Sequence, residues 1–130
     1  MKLRTSVMIS VLFLGACGGE TTAPLAPFEP QISNTADNFQ LQASNVLDVG
    51  STLDYSWENT GTQASVDHST TLTAGSARVI VKDANGTTVY DADLLPSKNE
   101  QTAIGASGTW TISLVLSNYS GTLNFRVQKM

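Results

Sequence analysis

The single histidine is the first residue whose chemistry could mark an active site. His68 lies between Asp67 and Ser69, so the residue types of a Ser-His-Asp triad are present. Adjacent residues on a strand point to opposite faces, and these three therefore cannot form a triad among themselves. No nucleophile elbow occurs elsewhere in the chain. We expect His68 to be a surface histidine and the protein not to be an enzyme.

A set of oxygen donors around one predicted hairpin is the second candidate. Oxygen donors are the ligands that calcium prefers, and four lie close together here: Asp83, Asn85, Asp91 and Asp93. Their spacing is not that of an EF-hand, and turn formation already accounts for Asp83 and Asn85. We expect solvated turn and face residues and no cofactor. Calcium binding stays an alternative, tested by melting the domain with calcium and with chelator.

Three aromatic residues could form a platform for sugar rings. Trp57 and Trp110 have the parity of the apolar residues in their predicted strands, so we expect both in the core. Tyr119 falls in a predicted turn and is therefore the exposed ring and the ligand-binding candidate. Nothing places two carboxylates across a cleft, as a glycosidase requires.

Cys17, the only cysteine, is the last candidate. It follows a positive start with Lys2 and Arg4 and an apolar run, residues 7–14, that is too short to span a bilayer as a helix. The four residues that end in this cysteine, Leu-Gly-Ala-Cys, resemble the lipobox of bacterial lipoproteins. The resemblance implies removal of residues 1–16 as a signal peptide and lipidation of Cys17. Several acyl chains would anchor the protein stably in a membrane.

The residues after the cysteine indicate an address and a tether. By resemblance to Gram-negative lipoproteins, Gly18 rather than aspartate permits export to the outer membrane, with the periplasmic and outer sides both left open. Residues 17–36 contain a proline at every third position, Pro24, Pro27 and Pro30, which suits polyproline II and excludes a helix. As a flexible tether they could hold the domain up to about 60 Å from the membrane.

Composition excludes some partners. The sequence pI is about 4.6, and removing Lys2 and Arg4 leaves five of the seven basic residues against 11 acidic ones. Nucleic acid is excluded because phosphate contacts need a basic surface. A lone cysteine also excludes an internal disulfide and a Cys-based zinc site.

Residues 37–130 have the period-two alternation of half-buried strands. The clearest stretch is Gly108 to Val127, which we interpret as an antiparallel hairpin with its turn at Asn118 to Gly121. Strands are also predicted at 38–46 and 52–58, separated by a turn at 48–51. Residues 63–73 are predicted to be an edge strand or an irregular pair of short strands.

A second hairpin is predicted from Ala77 to Leu94 around Asn85-Gly86. A two-residue loop places Arg78 opposite Asp93, and a four-residue loop places it opposite Asp91. The total is seven or eight strands, at the spacing expected of a sandwich or a small barrel. We expect an antiparallel β-sandwich, either immunoglobulin-like or jelly-roll-like. We expect sixteen core residues: Phe39, Leu41, Leu53, Tyr55, Trp57, Val79, Val81, Tyr90, Leu94, Trp110, Ile112, Leu114, Leu116, Leu123, Phe125 and Val127.

Three phrases are similar to those of small bacterial lipoproteins with one immunoglobulin-like β-sandwich: Tyr-Ser-Trp-Glu-Asn-Thr-Gly-Thr (55–62), Val-Lys-Asp-Ala-Asn-Gly (81–86) and Ser-Gly-Thr-Leu-Asn-Phe-Arg-Val (120–127). The resemblance implies the fold and the address but no site, because that group has no assigned activity. We expect a non-catalytic envelope protein that contacts an envelope protein or glycan through its faces and residues 63–72. The alternative is a small carbohydrate- or calcium-binding module on a lipid anchor.

Overall fold

The structure, a computed structural model, describes residues 20–130, with side chains from Pro24 onward, and is an antiparallel β-sandwich of seven strands. The expected signal peptide and Cys17 lie outside the described residues. A 3₁₀ segment, Glu20–Phe28, is followed by the strands β1 (Gln31–Thr35), β2 (Asn38–Asn59), β3 (Ala64–His68), β4 (Ala74–Lys82), β5 (Thr88–Asp93), β6 (Lys98–Gln101) and β7 (Gly108–Lys129). No helix within this described part is long and apolar enough to cross a membrane.

The two longest strands of the sheet, β2 and β7, have 22 residues each. They pair antiparallel from Asn38 opposite Gln128 to Asn59 opposite Gly108. The hairpin predicted within residues 108–127 is therefore wrong, because both of its arms belong to β7. The turn predicted at 48–51 is wrong for the same reason, because that segment lies within β2.

Both predicted turns are instead bends, and the two bends lie opposite each other. Val46 pairs with Gly121 and Val49 pairs with Tyr119, with register shifts on either side of these pairs. The local φ angles are positive at Asn45, Asp48, Asn118 and Gly121, at 56°, 51°, 47° and 152°. Bulges and turns use the same residue types and the same left-handed backbone, so local sequence cannot distinguish them.

Because the paired strands β2 and β7 both bend, the two halves of the sheet fold over and face each other. Along the second edge of β7, β4 pairs with its first half and β3 with its second half. The backbone between β3 and β4 stays attached, since the N–H groups of Ser69, Thr71 and Thr73 donate to β7 carbonyls at 2.9, 2.9 and 2.8 Å. β1, β5 and β6 flank β2, β4 and β3. The edge-strand interpretation of residues 63–73 is wrong for β3, which is paired on both sides.

The apolar faces of the two sheet halves meet in one core. Phe39 and Tyr55 belong to opposite halves of β2, yet their rings are 5.3 Å apart. Trp57 and Trp110 pack edge to face at 5.9 Å, a geometry that aromatic pairs favour. All sixteen predicted core residues are buried. Alternation therefore identified the inner face correctly although the strand connections were wrong.

The hairpin of β4 and β5 has the register predicted for the two-residue loop. Arg78 is opposite Asp93 and Val81 is opposite Tyr90. The connection itself is longer, because the N–H of Gly86 donates to the Asp83 carbonyl at 3.0 Å and the register shifts beyond Val81. Gly86 has a φ of 81°, which glycine adopts without strain.

The domain begins earlier than the predicted boundary at residue 37. Leu25 is completely buried, and Phe28 and Ile32 pack against the core. β1 adds a further strand to the sheet. The interpretation of residues 17–36 as a flexible tether is thus wrong from residue 25 onward. The exclusion of a helix is also wrong in part, because the fixed φ of proline suits a 3₁₀ helix and its missing N–H removes only a donor.

Candidate functional site

His68 is buried, not at the surface as predicted. Its side chain lies on the inner face of β3, and the residue pairs with Phe125 on β7 and with Lys98 on β6. Neither ring nitrogen has a hydrogen-bond partner. Burial lowers the pKa of His68, and the nearby Leu94 backbone and Glu100 carboxylate oppose this effect only in part. Among the described residues, no acid or nucleophile hydrogen-bonds to the ring nitrogens, so none of them forms a triad with His68.

Three of the four oxygen donors, the carboxylates, have structural roles, and the side chain of Asn85 is exposed. Asp83 accepts three backbone hydrogen bonds, from Asn85 at 3.0 Å, Thr87 at 2.9 Å and Ala106 at 2.9 Å. These bonds lower the pKa of its carboxyl group, with the bond from Ala106 contributing most. These three bonds fix the carboxylate against the backbone of the β4–β5 turn and occupy most of its acceptor sites.

The other two carboxylates of the set flank an arginine. Arg78 contacts Asp91 at 2.6 Å and Asp93 at 3.2 Å. The pair raises the pKa of the guanidinium group, mainly through the hydrogen bond to Asp91. Within residues 20–130, no three His, Cys, Asp or Glu side chains come together as a metal site.

The aromatic residues do not form an exposed platform. Trp57 and Trp110 are buried in the core, as expected. Tyr119, predicted to be exposed, is completely buried, and its hydroxyl donates to the Thr71 carbonyl at 2.6 Å. Burial raises its pKa to about 12. The prediction is wrong because Tyr119 lies in a bend of β7 that faces the core rather than at the tip of a hairpin.

The outer face of one sheet half carries a concentration of side-chain amides. This half consists of β1, β2, β7, β3 and β6, side by side in that order. Its outward positions hold eight amides, which we call the amide face: Gln31, Asn38, Gln40, Gln42, Asn99, Gln101, Asn124 and Gln128. Six of them make no side-chain hydrogen bond within the described part of the chain; Gln128 donates to Asn38 at 3.1 Å.

The strand registers arrange these amides in rows across the sheet. One row runs through Gln31, Gln42 and Asn124, and the next contains Gln40 opposite Arg126. Neighbouring strands are about 4.8 Å apart, and same-face residues along a strand are about 6.7 Å apart. Arg126 is in turn opposite Asp67 on β3, so the only cation and the only anion of these rows are neighbours. The amide face is therefore a regular and nearly neutral grid of donors and acceptors.

A groove borders the amide face where the 3₁₀ segment ends. It has a volume of about 340 Å³ and is lined by Phe28, Glu29, Gln31, Gln42, Ser44, Thr122 and Asn124. A shallower depression of about 180 Å³ shares Gln31 and Gln42 with it and extends along β1 to Ser33 and Gln40. Ile32 also lines the depression, so its walls are not uniformly polar. The size of the groove is at the lower end of the range for small-ligand sites.

The outer face of the other sheet half has a different character, and we call it the charged face. Its outward strand positions include Asp54, Glu58, Arg78, Lys82, Asp91 and Asp93. None of the outward strand positions described for this half is an amide. The amides are thus concentrated on one side of the molecule.

The sequence contained the elements of the amide face but not their arrangement. Gln40 and Gln42 alternate with apolar residues, as do Asn124, Arg126 and Gln128. Each run could be recognised as an outward face. The pairing of β2 with β7 joins the two runs. The hairpin prediction missed it, because it paired the two halves of β7 with each other.

No protein-family model and no curated protein matches this chain. A function for it therefore has to be derived from the arrangement of its own residues.

Proposed function

We propose that this protein is a lipid-anchored component of the bacterial cell envelope, held in the outer membrane through Cys17, whose β-sandwich acts by binding rather than by catalysis. The observation that carries the proposal is the amide face. Six of its amides, which make no side-chain hydrogen bond within the described part of the chain, present donors and acceptors together on one sheet. A surface of this kind can recognise another molecule through many parallel hydrogen bonds.

The length of chain between the anchor and the core supports an action at the membrane surface. Leu25, the first buried core residue that the structure describes, is only the eighth residue after Cys17, so eight Cα–Cα steps join the two. Fully extended, they span at most ~28 Å. The earlier estimate of about 60 Å assumed an unfolded tether to residue 36. A lipidated protein of this design would hold its domain close to the envelope components that it contacts.

Site-specific photo-crosslinking of the full chain in intact bacteria tests the proposal. A photoreactive residue at Gln40 would lie on the amide face, and one at Thr111 would lie on the charged face. We expect irradiation to produce a specific high-mass adduct from position 40 and none from position 111. Equal adducts from both positions, or none from either, would contradict binding through the amide face.

The calcium alternative receives no support from the structure, because Asp83 accepts three backbone hydrogen bonds and Asp91 and Asp93 contact Arg78. The carbohydrate alternative does gain an observation, although not at the aromatic residues first considered. It depends on the chemistry of the amide face.

A further inference from the structure

We propose that the amide face and its groove bind a neutral glycan chain. The proposal rests on the function proposed above and names the ligand of the same surface. The interaction is noncovalent, and no covalent bond is made or broken.

The hydrogen-bonding groups of the face match those of a sugar. Each amide side chain offers an acceptor oxygen and two donor hydrogens, and a sugar hydroxyl likewise donates and accepts. Gln31, Gln42 and Asn124 supply such groups to the groove, with the hydroxyls of Ser44 and Thr122 beside them. Phe28 lines the same groove and is only partly buried, so part of its ring is available to the apolar face of a sugar.

Charge distinguishes a neutral glycan from a charged polymer. Arg126 is opposite Asp67, so the formal charges at these two positions sum to zero. Glu29 adds a carboxylate at the groove. A polyanion would meet this carboxylate with a single arginine to offset it, and a polycation would find only two acidic groups. A neutral ligand experiences no net repulsion from these charges and needs no compensating charge on the face.

The absence of an apolar centre distinguishes a glycan from a protein partner. Protein interfaces usually bury an apolar core patch surrounded by a polar rim. The outward positions described for β1, β2, β7 and β3 in this half are polar, and Phe28 lies only at the margin. The grid also crosses five strands, about 19 Å between the outer two. This extent suits an extended chain rather than a single sugar.

Titration calorimetry on the full lipidated chain in detergent micelles tests the ligand class. The neutral probes are dextran, mixed-linkage β-glucan, mannan and galactan, and polygalacturonate is the anionic comparison. The test variant combines Gln42→Ala with Asn124→Ala, which pair directly and both line the groove. Asn85→Ala is the control, since it removes an exposed amide from a turn outside the face. Gln31→Ala, on the exposed edge strand, provides a second variant with less risk to the fold.

We expect at least one neutral glycan to bind and polygalacturonate not to bind. The double variant should weaken binding roughly ten- to a hundredfold, through the loss of several hydrogen bonds. Gln31→Ala should weaken it less, and Asn85→Ala should leave it unchanged. Preference for polygalacturonate, or equal binding by wild type and both groove variants, would overturn the proposal. If no neutral glycan binds while the adduct from position 40 still forms, the proposed ligand class is wrong and the broader binding function stands.

Discussion

At the scale of single residues, His68 shows how burial lowers the pKa of a histidine and so couples folding to pH. The ring lies in the core with no partner for either nitrogen. The charged groups around it are Glu100 and Asp67, which favour its protonation, and Lys98, which opposes it. Desolvation is the largest of these effects, so the folded protein resists taking up the proton.

The stability of the domain should therefore fall as the pH drops below the ordinary histidine pKa of 6.5. Below that pH the unfolded chain binds a proton that the folded chain refuses, and above it both states are neutral. Uptake of one proton gives a slope of at most about 1.4 kcal/mol per pH unit. Urea unfolding between about pH 8 and pH 5 measures this slope. His68→Leu should flatten it, since the chain has no other histidine, and an equally steep slope in the variant would contradict the assignment.

Asp83 is predicted to contribute more to stability than the exposed carboxylates near it. Asp83→Asn replaces one acceptor oxygen with a donor that faces backbone N–H groups, so we expect a clear fall in the melting temperature. Asp91→Asn should change it little, because Arg78 keeps Asp93 as a partner. Thermal unfolding near neutral pH measures both, and similar melting temperatures for the two variants would contradict the prediction.

The same carboxylate should affect stability in acid. The pKa of Asp83 is lowered in the folded state, so its contribution is present above the ordinary value of 3.8 and is lost as the pH falls through the folded pKa.

Calcium should not raise the melting temperature of the domain relative to chelator, because three backbone N–H groups already bind the Asp83 carboxylate.

At the scale of elements, the bend of β7 needs a glycine at position 121. Gly121 has a φ of 152°, and a Cβ there would collide with the Thr71 carbonyl oxygen and lie 2.8 Å from the Tyr119 hydroxyl. The collision occurs where Tyr119 donates to Thr71. The bend therefore needs a residue without a side chain at this point.

Gly121→Ala should lower the free energy of unfolding by about 3 kcal/mol or more, through backbone strain and the collision together. Gly86→Ala is the matched control, because its φ of 81° is also unfavourable for alanine but no atom lies within 4 Å of the added Cβ. We expect the control to lose only about 1 kcal/mol. Denaturant unfolding measures both values, and comparable losses would show that the close approach at the bend has no effect on stability.

At the scale of the whole molecule, the proposed anchor determines where the domain acts. Cys17→Ser should abolish incorporation of an alkyne-labelled fatty acid and leave the unprocessed precursor in the cell. Since the chain has one cysteine, wild-type labelling can be assigned to this position. Electrophoresis of labelled cells measures the result. Labelling that persists in the variant, or a wild-type protein without label, would contradict lipidation.

The sequence by itself determined the features that depend on near neighbours. Alternation identified every predicted core residue, since the side chains of a strand point to opposite faces whatever the strand pairs with. The Asn85-Gly86 turn limited the register of β4 and β5 to two alternatives, and the structure has one of them, with Arg78 opposite Asp93. The all-β class follows from the same local patterns.

Only the tertiary structure decided how strands distant in sequence pair. The residues near 48 and near 118 allow either a hairpin turn or a bend, because both use the same left-handed backbone conformations. Contacts between β2 and β7, distant in sequence, select the bend. That choice buries Tyr119, and the pairing of β3 with both β7 and β6 encloses His68. The same pairing brings Gln42 opposite Asn124, so the amide face exists only once the long strands have met.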